Sequence, residues 1–180
     1  MTKVVRGWIS ADRADSLASR ILSDPPPCLD VRGHRVGDAF YCRRVVPELL
    51  SLMDAARREA SDALGVEVFP SPWFRSAVSV KVYEPGSRHE WHYDSNPVTA
   101  LLVLAGESEQ ARTVLEVDGI ETPIENGPGG LLVMDGNLLR HCVHTIPEDH
   151  PPRITIPYNL YLSADPDRPE GQDQLVYGRG

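Results

Sequence analysis

Gly129-Gly130-Leu131-Leu132-Val133-Met134-Asp135-Gly136-Asn137-Leu138-Leu139-Arg140-His141-Cys142-Val143-His144-Thr145-Ile146 reads as two short strand-forming runs, 131–134 and 140–146, divided by turn residues. The same punctuation repeats outward. Downstream, Pro147-Glu148-Asp149 leads into a run at 153–161; upstream, runs at 76–83, 99–104 and 113–117 are separated by Glu84-Pro85-Gly86, Ala105-Gly106-Glu107, Asp118-Gly119 and Asn126-Gly127-Pro128. Many short strands from residue 73 onward, after a helical first third, imply a mainly β fold with flanking helices. The architecture expected is a double-stranded β-helix, a cupin-like jelly roll with helices packed outside it.

Two helices are legible before the strands. Ser10 suits a cap for a helix over 11–22, with Ala14, Leu17, Ala18 and Ile21 on one face and Pro25-Pro26-Pro27 beyond its end. Pro47 suits the first position of a second helix, in which Leu49, Met53, Ala56, Ala60 and Leu64 recur at helical spacing until Gly65. The 180 residues are enough for one well-filled core, so a single domain is expected. Within it, 1–72 forms a helical support, 73–163 the barrel core and 164–180 a polar tail, either partly disordered or folded over the barrel mouth.

Composition narrows the function classes. With 41% hydrophobic and 24% charged residues, the chain has the balance of an ordinary soluble globular protein. A formal charge of −8 repels phosphate backbones on average, which makes nucleic acid a poor partner. No apolar run approaches the roughly 20 residues needed to cross a bilayer, and the first residues lack a signal-peptide core, so a cytoplasmic protein with no membrane partner is expected. Cys28, Cys42 and Cys142 are odd in number and widely spaced, which argues against a disulfide framework or a thiolate metal site. Cys142 reads as a small buried apolar residue.

The segment from Tyr83 to Asp94, Tyr-Glu-Pro-Gly-Ser-Arg-His-Glu-Trp-His-Tyr-Asp, carries the chemistry. Side chains on a strand alternate faces, so His92 and Asp94 project the same way and can share one ion, while Tyr93 points elsewhere. A third ligand must come from another strand, with His141, His144 and His150 as candidates. His141 and His144 are an odd number of residues apart, so only one of them can face the site; His141 is the choice. Farther on, Arg153 and Thr155 share a face, and a guanidinium beside a hydroxyl suits the grip on a carboxylate. Two imidazoles and one carboxylate on an octahedral ion leave positions open, an arrangement associated with non-haem Fe(II) oxygenases, whereas zinc more often takes a closed tetrahedral set.

In these motifs the sequence resembles the 2-oxoglutarate- and Fe(II)-dependent oxygenase superfamily, nearest in style to its prolyl-hydroxylase-like branch. The Tyr83-x-Pro85-Gly86 approach to His92-x-Asp94, the Gly-Gly-Leu-Leu-Val-Met-Asp-Gly lead into His141 and the Arg153-x-Thr155 pair follow the order that family shows, over roughly half of the chain. The resemblance implies that His92, Asp94 and His141 hold Fe(II) and that Arg153, helped by Thr155, binds the distal carboxylate of 2-oxoglutarate. It implies Tyr83 near the cosubstrate, dioxygen as oxidant and ascorbate as a stimulating reductant. The activity implied is hydroxylation of a C–H bond with release of succinate and carbon dioxide. Asp94 argues against halogenation, because related halogenases carry a small residue there. The aliphatic stretch 101–104 departs from prolyl hydroxylases, which often offer the cosubstrate a further tyrosine.

The substrate expected is a small molecule such as an amino acid or natural-product intermediate, with a prolyl or peptidyl residue as the alternative. From other classes, a redox-silent cupin-like metal protein, a zinc hydrolase or a catalytically dead barrel would use the same fold, and Arg153 with Thr155 discriminates against the first two. Bland roles are expected for several neighbours: His144 exposed or supporting a ligand, His89 a solvated loop histidine, Trp91 and Tyr93 packing residues, Arg75 and Arg88 solvated charges. Oligomeric state is not legible.

Overall fold

The computed structural model describes residues 1–29 and 34–167. Within them the elements are β1 (Thr2–Val5), α1 (Ala11–Ser23), β2 (Cys28–Leu29), β3 (Arg35–Gly37), α2 (Ala39–Val45), α3 (Glu48–Leu64), β4 (Phe69–Pro70), α4 (Phe74–Ala77), β5 (Val80–Tyr83), β6 (His89–His92), β7 (Val98–Ala105), β8 (Thr113–Val117), β9 (Ile120–Ile124), β10 (Leu131–Asp135), β11 (His141–Val143) and β12 (Arg153–Tyr161). The tail expected at 164–180 is described only to residue 167, and its remainder lies outside the described residues.

Two antiparallel sheets face each other as a jelly roll. The larger runs β1-β10-β7-β12-β5-β3-β2, with β4 also paired to β12, and the smaller runs β6-β11-β8-β9. Alternation along the central strands of the larger sheet creates its two faces. Ile154, Ile156, Tyr158 and Leu160 of β12 join Val80 and Val82 of β5 and Leu102 and Leu104 of β7 in the main core, where α1 and α3 contribute Leu17, Ile21, Leu49 and Ala56. The intervening residues Lys81, Tyr83, Thr99, Leu101, Arg153 and Thr155 line a cavity between the sheets. Both faces are covered, so these strands read as nearly continuous apolar runs although the sheet is antiparallel. Each Leu or Ile fully buried in this core contributes roughly 1.5–3 kcal/mol over its exposed state.

Local chemistry explains the helix ends. The Ser10 hydroxyl accepts from the Arg13 N–H at 3.3 Å at the start of α1, and Gly65 ends α3 in the left-handed region at φ 69°. Asp38 Oδ1 accepts from both Phe40 and Tyr41 N–H at 3.1 Å, starting α2, a helix not among the two expected from the sequence.

Three boundaries differ from expectation. The run at 76–83 begins later, because Phe74–Ala77 turns as α4, Val78 makes an isolated bridge to Tyr158 and the continuous strand starts at Val80. The run at 140–146 pairs only over His141–Val143. Residues 1–72 contribute β1, β2, β3 and β4 to the larger sheet as well as helices. Those strands are two to four residues long, too short to show alternation.

Candidate metal centre and cosubstrate cavity

His92 ends β6 and pairs directly with His141 on β11, which brings the two imidazoles to 4.2 Å between ring centroids. Asp94 lies just beyond β6, where its N–H donates to Gly136 O at 2.8 Å and Gly136 N–H donates in turn to Pro97 O at 2.8 Å. The loop is thereby tied to the turn that precedes β11. Asp94 Oδ1 lies 3.6 Å from His92 Nε2 and 3.5 Å from His141 Nε2. One donor atom from each of the three residues falls within 4.8 Å of the others, the condition for binding a common cation. The triad expected from the sequence is therefore brought together from β6, β11 and the loop after β6.

Backbone contacts set the tautomers. His92 Nδ1 lies 2.7 Å from Glu90 O and His141 Nδ1 lies 2.9 Å from Leu139 O. A carbonyl only accepts, so each Nδ1 carries a proton, which leaves each Nε2, on the Asp94 side, as the nitrogen available to a metal. The Thr99 hydroxyl donates to Asp94 Oδ2 at 2.5 Å and accepts from Asn96 Nδ2 at 2.9 Å, which orients the carboxylate. Burial opposes ionisation of Asp94, but the His141 and His92 imidazoles outweigh it and hold the carboxyl well below its usual range. Burial also lowers the pKa of His92, favouring the neutral, ligating form.

Arg153 defines the deep end of the cavity. Only 1% exposed, it donates from Nη2 to Thr113 Oγ1 at 2.9 Å, and its guanidinium carbon lies 5.6 Å from the centre of the Tyr83 ring. Its Nε and Nη1 are buried without partners, as is the hydroxyl of Thr155. Burial lowers the pKa of the guanidinium, yet this group stays charged in proteins. A buried cation with two idle donors is costly unless an anion completes it. Arg153, Thr155 and Tyr83 line the same cavity, of about 350 Å³ including its mouth, as the His92, Asp94 and His141 triad. Leu101 occupies an apolar stretch of this wall, the place where the sequence departs from a further tyrosine. Orphaned donors facing an acceptor-rich dianion, beside an N,N,O donor set, fit both 2-oxoglutarate and Fe(II).

The likeness to solved structures matches this architecture. The Pseudomonas putida prolyl-4-hydroxylase superposes with a TM-score of 0.63 at 19% identity, covering 89% of this chain and 91% of that one. An oxidoreductase of the 2OG-Fe(II) oxygenase family from Burkholderia pseudomallei superposes at 0.65 with 18% identity, covering 91% and 85%. The chain has the fold of the Fe(II)/2-oxoglutarate oxygenases. The non-heme alpha ketoglutarate dependent epimerase SnoN from nogalamycin biosynthesis shares that oxygenase fold at a TM-score of 0.68 and 14% identity, covering 88% and 76%. No family model and no curated protein matches the sequence.

The remaining histidines sort as geometry requires. His144 lies beyond β11, exposed, with Nε2 3.4 Å from Glu121 Oε2, and His150 Nε2 bonds Ser108 Oγ at 2.8 Å away from the triad. His89 overturns the expectation of a solvated loop residue: it is 3% exposed, lines the cavity, stacks on His92 at 3.8 Å and bonds Tyr83 Oη through Nδ1 at 3.3 Å. Strict alternation would turn His89 and His92 to opposite faces. A β-bulge intervenes, since His141 pairs with His92 but Val143 pairs with His89, so between these pairs Glu90 and Trp91 of β6 oppose Cys142 alone on β11 and both imidazoles point inward. No residue type in Glu90-Trp91 announces such a bulge. Tyr93 is 56% exposed rather than packed, whereas Trp91 lies beneath the Arg140 guanidinium at 5.2 Å. Cys142 is buried, as expected, and Cys42 is likewise a buried free thiol.

Proposed function

We propose that this chain is a Fe(II)/2-oxoglutarate-dependent dioxygenase of the prolyl-hydroxylase-like branch, hydroxylating a C–H bond of a small molecule such as an amino acid or natural-product intermediate. The observation that carries the reading is the buried Arg153 with two unpartnered donors in the cavity of the metal triad. A redox-silent cupin-like protein or a zinc hydrolase needs the triad but has no use for a buried cation aimed at a dicarboxylate. The prolyl-hydroxylase neighbour keeps a prolyl or peptidyl substrate as the second reading.

The residues divide the work. His92, Asp94 and His141 hold Fe(II), with Nδ1 protons locked on backbone carbonyls so that Nε2 stays available. Arg153, with Thr155 and Tyr83, binds the distal carboxylate of 2-oxoglutarate and sets its direction toward the metal. Leu101, Met134 and Val143 keep the cavity wall apolar and limit water around the reacting centre. The chemistry supplied when iron, 2-oxoglutarate and dioxygen are bound is oxidation of a substrate C–H bond coupled to loss of carbon dioxide and release of succinate, with ascorbate as a stimulating reductant. Among the described residues no helix is long and apolar enough to cross a membrane. We place the protein in the cytoplasm as one domain acting on a small molecule, without nucleic acid or membrane partners.

Anaerobic titration with Fe(II) and then 2-oxoglutarate tests this directly. A visible metal-to-ligand charge-transfer band that saturates with the keto acid is expected, and it should vanish in His141→Ala. No band in the wild-type protein sinks the dioxygenase reading.

A further inference from the structure

A single hydrogen bond cannot fix the plane of a ligating imidazole. The Nδ1–H of His92 donates to Glu90 O at 2.7 Å, which anchors one edge of the ring and leaves its tilt about that contact unset. The tilt matters, because the Nε2 lone pair lies in the ring plane and must aim at the ion. His141 does not set it, since its ring crosses that of His92 at 55°, with centroids 4.2 Å apart. His89 lies nearly flat against His92, with centroids 3.8 Å apart and planes 30° apart.

His89 can serve as a plate only if it is itself held. It is buried, and its Nδ1 shares a hydrogen bond of 3.3 Å with the Tyr83 hydroxyl. His34, also buried, stacks on Tyr83 at 4.7 Å and 28° and meets His89 at 5.0 Å, so the three rings brace one another. Tyr83 in turn lies opposite Arg153 in the pairing of β5 with β12, with the guanidinium carbon 5.6 Å from its ring centre. The packed rings therefore run from the cosubstrate end of the cavity to the metal ligand. They also cross between the sheets, from His34 beside β3 and Tyr83 on β5 in the larger one to His89 and His92 on β6 in the smaller one.

We propose that His89 is a positioning residue of the metal centre: braced by Tyr83 and His34, its ring fixes the plane of the His92 imidazole and keeps Nε2 aimed at the ion. The role asks for a flat ring held in place and for no charge upon it. This inference rests on His92 being a metal ligand, as in the reading above, and adds the residue that orients it. A side chain that merely filled space between the sheets would be replaceable by any apolar group of similar volume, whereas a plate would not.

Titration of the full-length protein with Co(II) tests this without turnover, because the visible ligand-field bands of the ion report the geometry around it. His89→Leu fills the space without a flat face, and it should weaken Co(II) binding about tenfold or more and shift the bands. His89→Phe keeps the plate and loses only the bond to Tyr83, so it should stay within about threefold of wild type with the bands in place. Tyr83→Phe should cost a similar factor, and the double variant His89→Phe with Tyr83→Phe no more than either alone, because both changes remove the same bond. The proposal is overturned if His89→Leu keeps wild-type affinity and bands, or if it binds more weakly with unshifted bands, as a loss of stability alone would do. It is equally overturned if His89→Phe fares no better than His89→Leu, or if the Tyr83 and His89 changes are additive. Should His89→Leu not fold, the cycle of His89→Phe with Tyr83→Phe decides by itself. Failure of the wild-type protein to bind Co(II) at all would overturn the metal-centre reading and this one with it, a result distinct from intact binding that is indifferent to residue 89.

Discussion

Arg153 is held at a cost to the ligand-free protein, and that cost is measurable. Its guanidinium is buried with Nε and Nη1 unpartnered, so an apolar side chain of similar length should relieve a desolvation penalty. Arg153→Met is expected to raise the stability of the apo protein by about 1–3 kcal/mol, read as a higher urea midpoint. The same change should raise the 2-oxoglutarate requirement at least about thirtyfold, since losing one partner of a buried charge pair costs roughly 2–5 kcal/mol. A variant that is less stable and still binds the keto acid normally would remove Arg153 from the cosubstrate site. Asp94 is similarly supported from behind. A Cβ on Gly136 would fall 2.8 Å from Asn96 O and 2.8 Å from Thr99 Oγ1, closer than real contacts allow, and 3.0 Å from Asp94 Cβ, tighter than nearly all of them. Gly136→Ala should therefore displace the carboxylate, and Thr99→Val should unmoor it by removing the hydroxyl on Oδ2. Each is expected to weaken Fe(II) binding by about 10–100-fold, the usual effect of losing a group that orients a ligand. Anaerobic metal competition would show it, and unaltered affinity in both variants would mean that Asp94 needs no support.

At the scale of elements, what the sequence makes legible depends on how many residues repeat a pattern. The bounds of β12 and β8 are legible to the residue, because their β-branched and apolar runs extend for nine and five positions between turn residues, and α3 is bounded by Pro47 and Gly65. The hairpin from β8 to β9 turns at Asp118 and Gly119, with φ of 52° and 75°, as the Asp-Gly pair foretells, although β9, Ile-Glu-Thr-Pro-Ile, is not among the expected strands. The His92, Asp94 and His141 cluster is legible because His92 and Asp94 stand two residues apart on one face and His141 follows on a later strand, the order of the superfamily that the sequence resembles. His89 is not, since its inward turn depends on a bulge that the register with β11 creates and no local residue encodes. Likewise α2 spans only seven residues, too few for periodicity, and its signal is a single capping residue. Asp38 caps two N–H groups of α2 and pairs through Oδ2 with Arg75 Nε at 3.0 Å, tying α2 to α4. Asp38→Ala should cost about 1–2 kcal/mol and lower the melting temperature by several degrees, while Asp38→Asn, which keeps the cap but not the charge, should lose less. Equal losses in the two would assign the effect to the ion pair alone.

For the whole molecule, the join between the helical layer and the larger sheet predicts how the fold answers to alkali. Three acidic side chains are sealed there. The Tyr158 hydroxyl donates from β12 to Leu49 O of α3 at 3.2 Å, the Tyr41 hydroxyl donates from α2 to Asp24 O at 2.6 Å, and Cys42 of α2 is wholly buried. Burial pushes the Cys42 thiol from its ordinary 9.0 up to about 12 and lifts both phenols above their ordinary 10.0. In the unfolded chain the thiol releases its proton near pH 9 and the phenols near pH 10, whereas the native state retains all three. Above those values the unfolded state therefore binds fewer protons, so the stability these groups confer is complete below about pH 9 and is lost as the pH climbs. Each retained proton steepens the decline by about 1.4 kcal/mol per pH unit. Urea unfolding across this range should give free energies that are level between neutrality and about pH 8.5, then fall with a slope that increases beyond pH 10 as the phenols join. Tyr158→Phe should start less stable, through loss of the bond to Leu49, yet fall less steeply above pH 10 than the wild-type protein. Parallel slopes for the two would mean that Tyr158 ionises while the protein is still folded, and that the seam between helices and sheet admits water there.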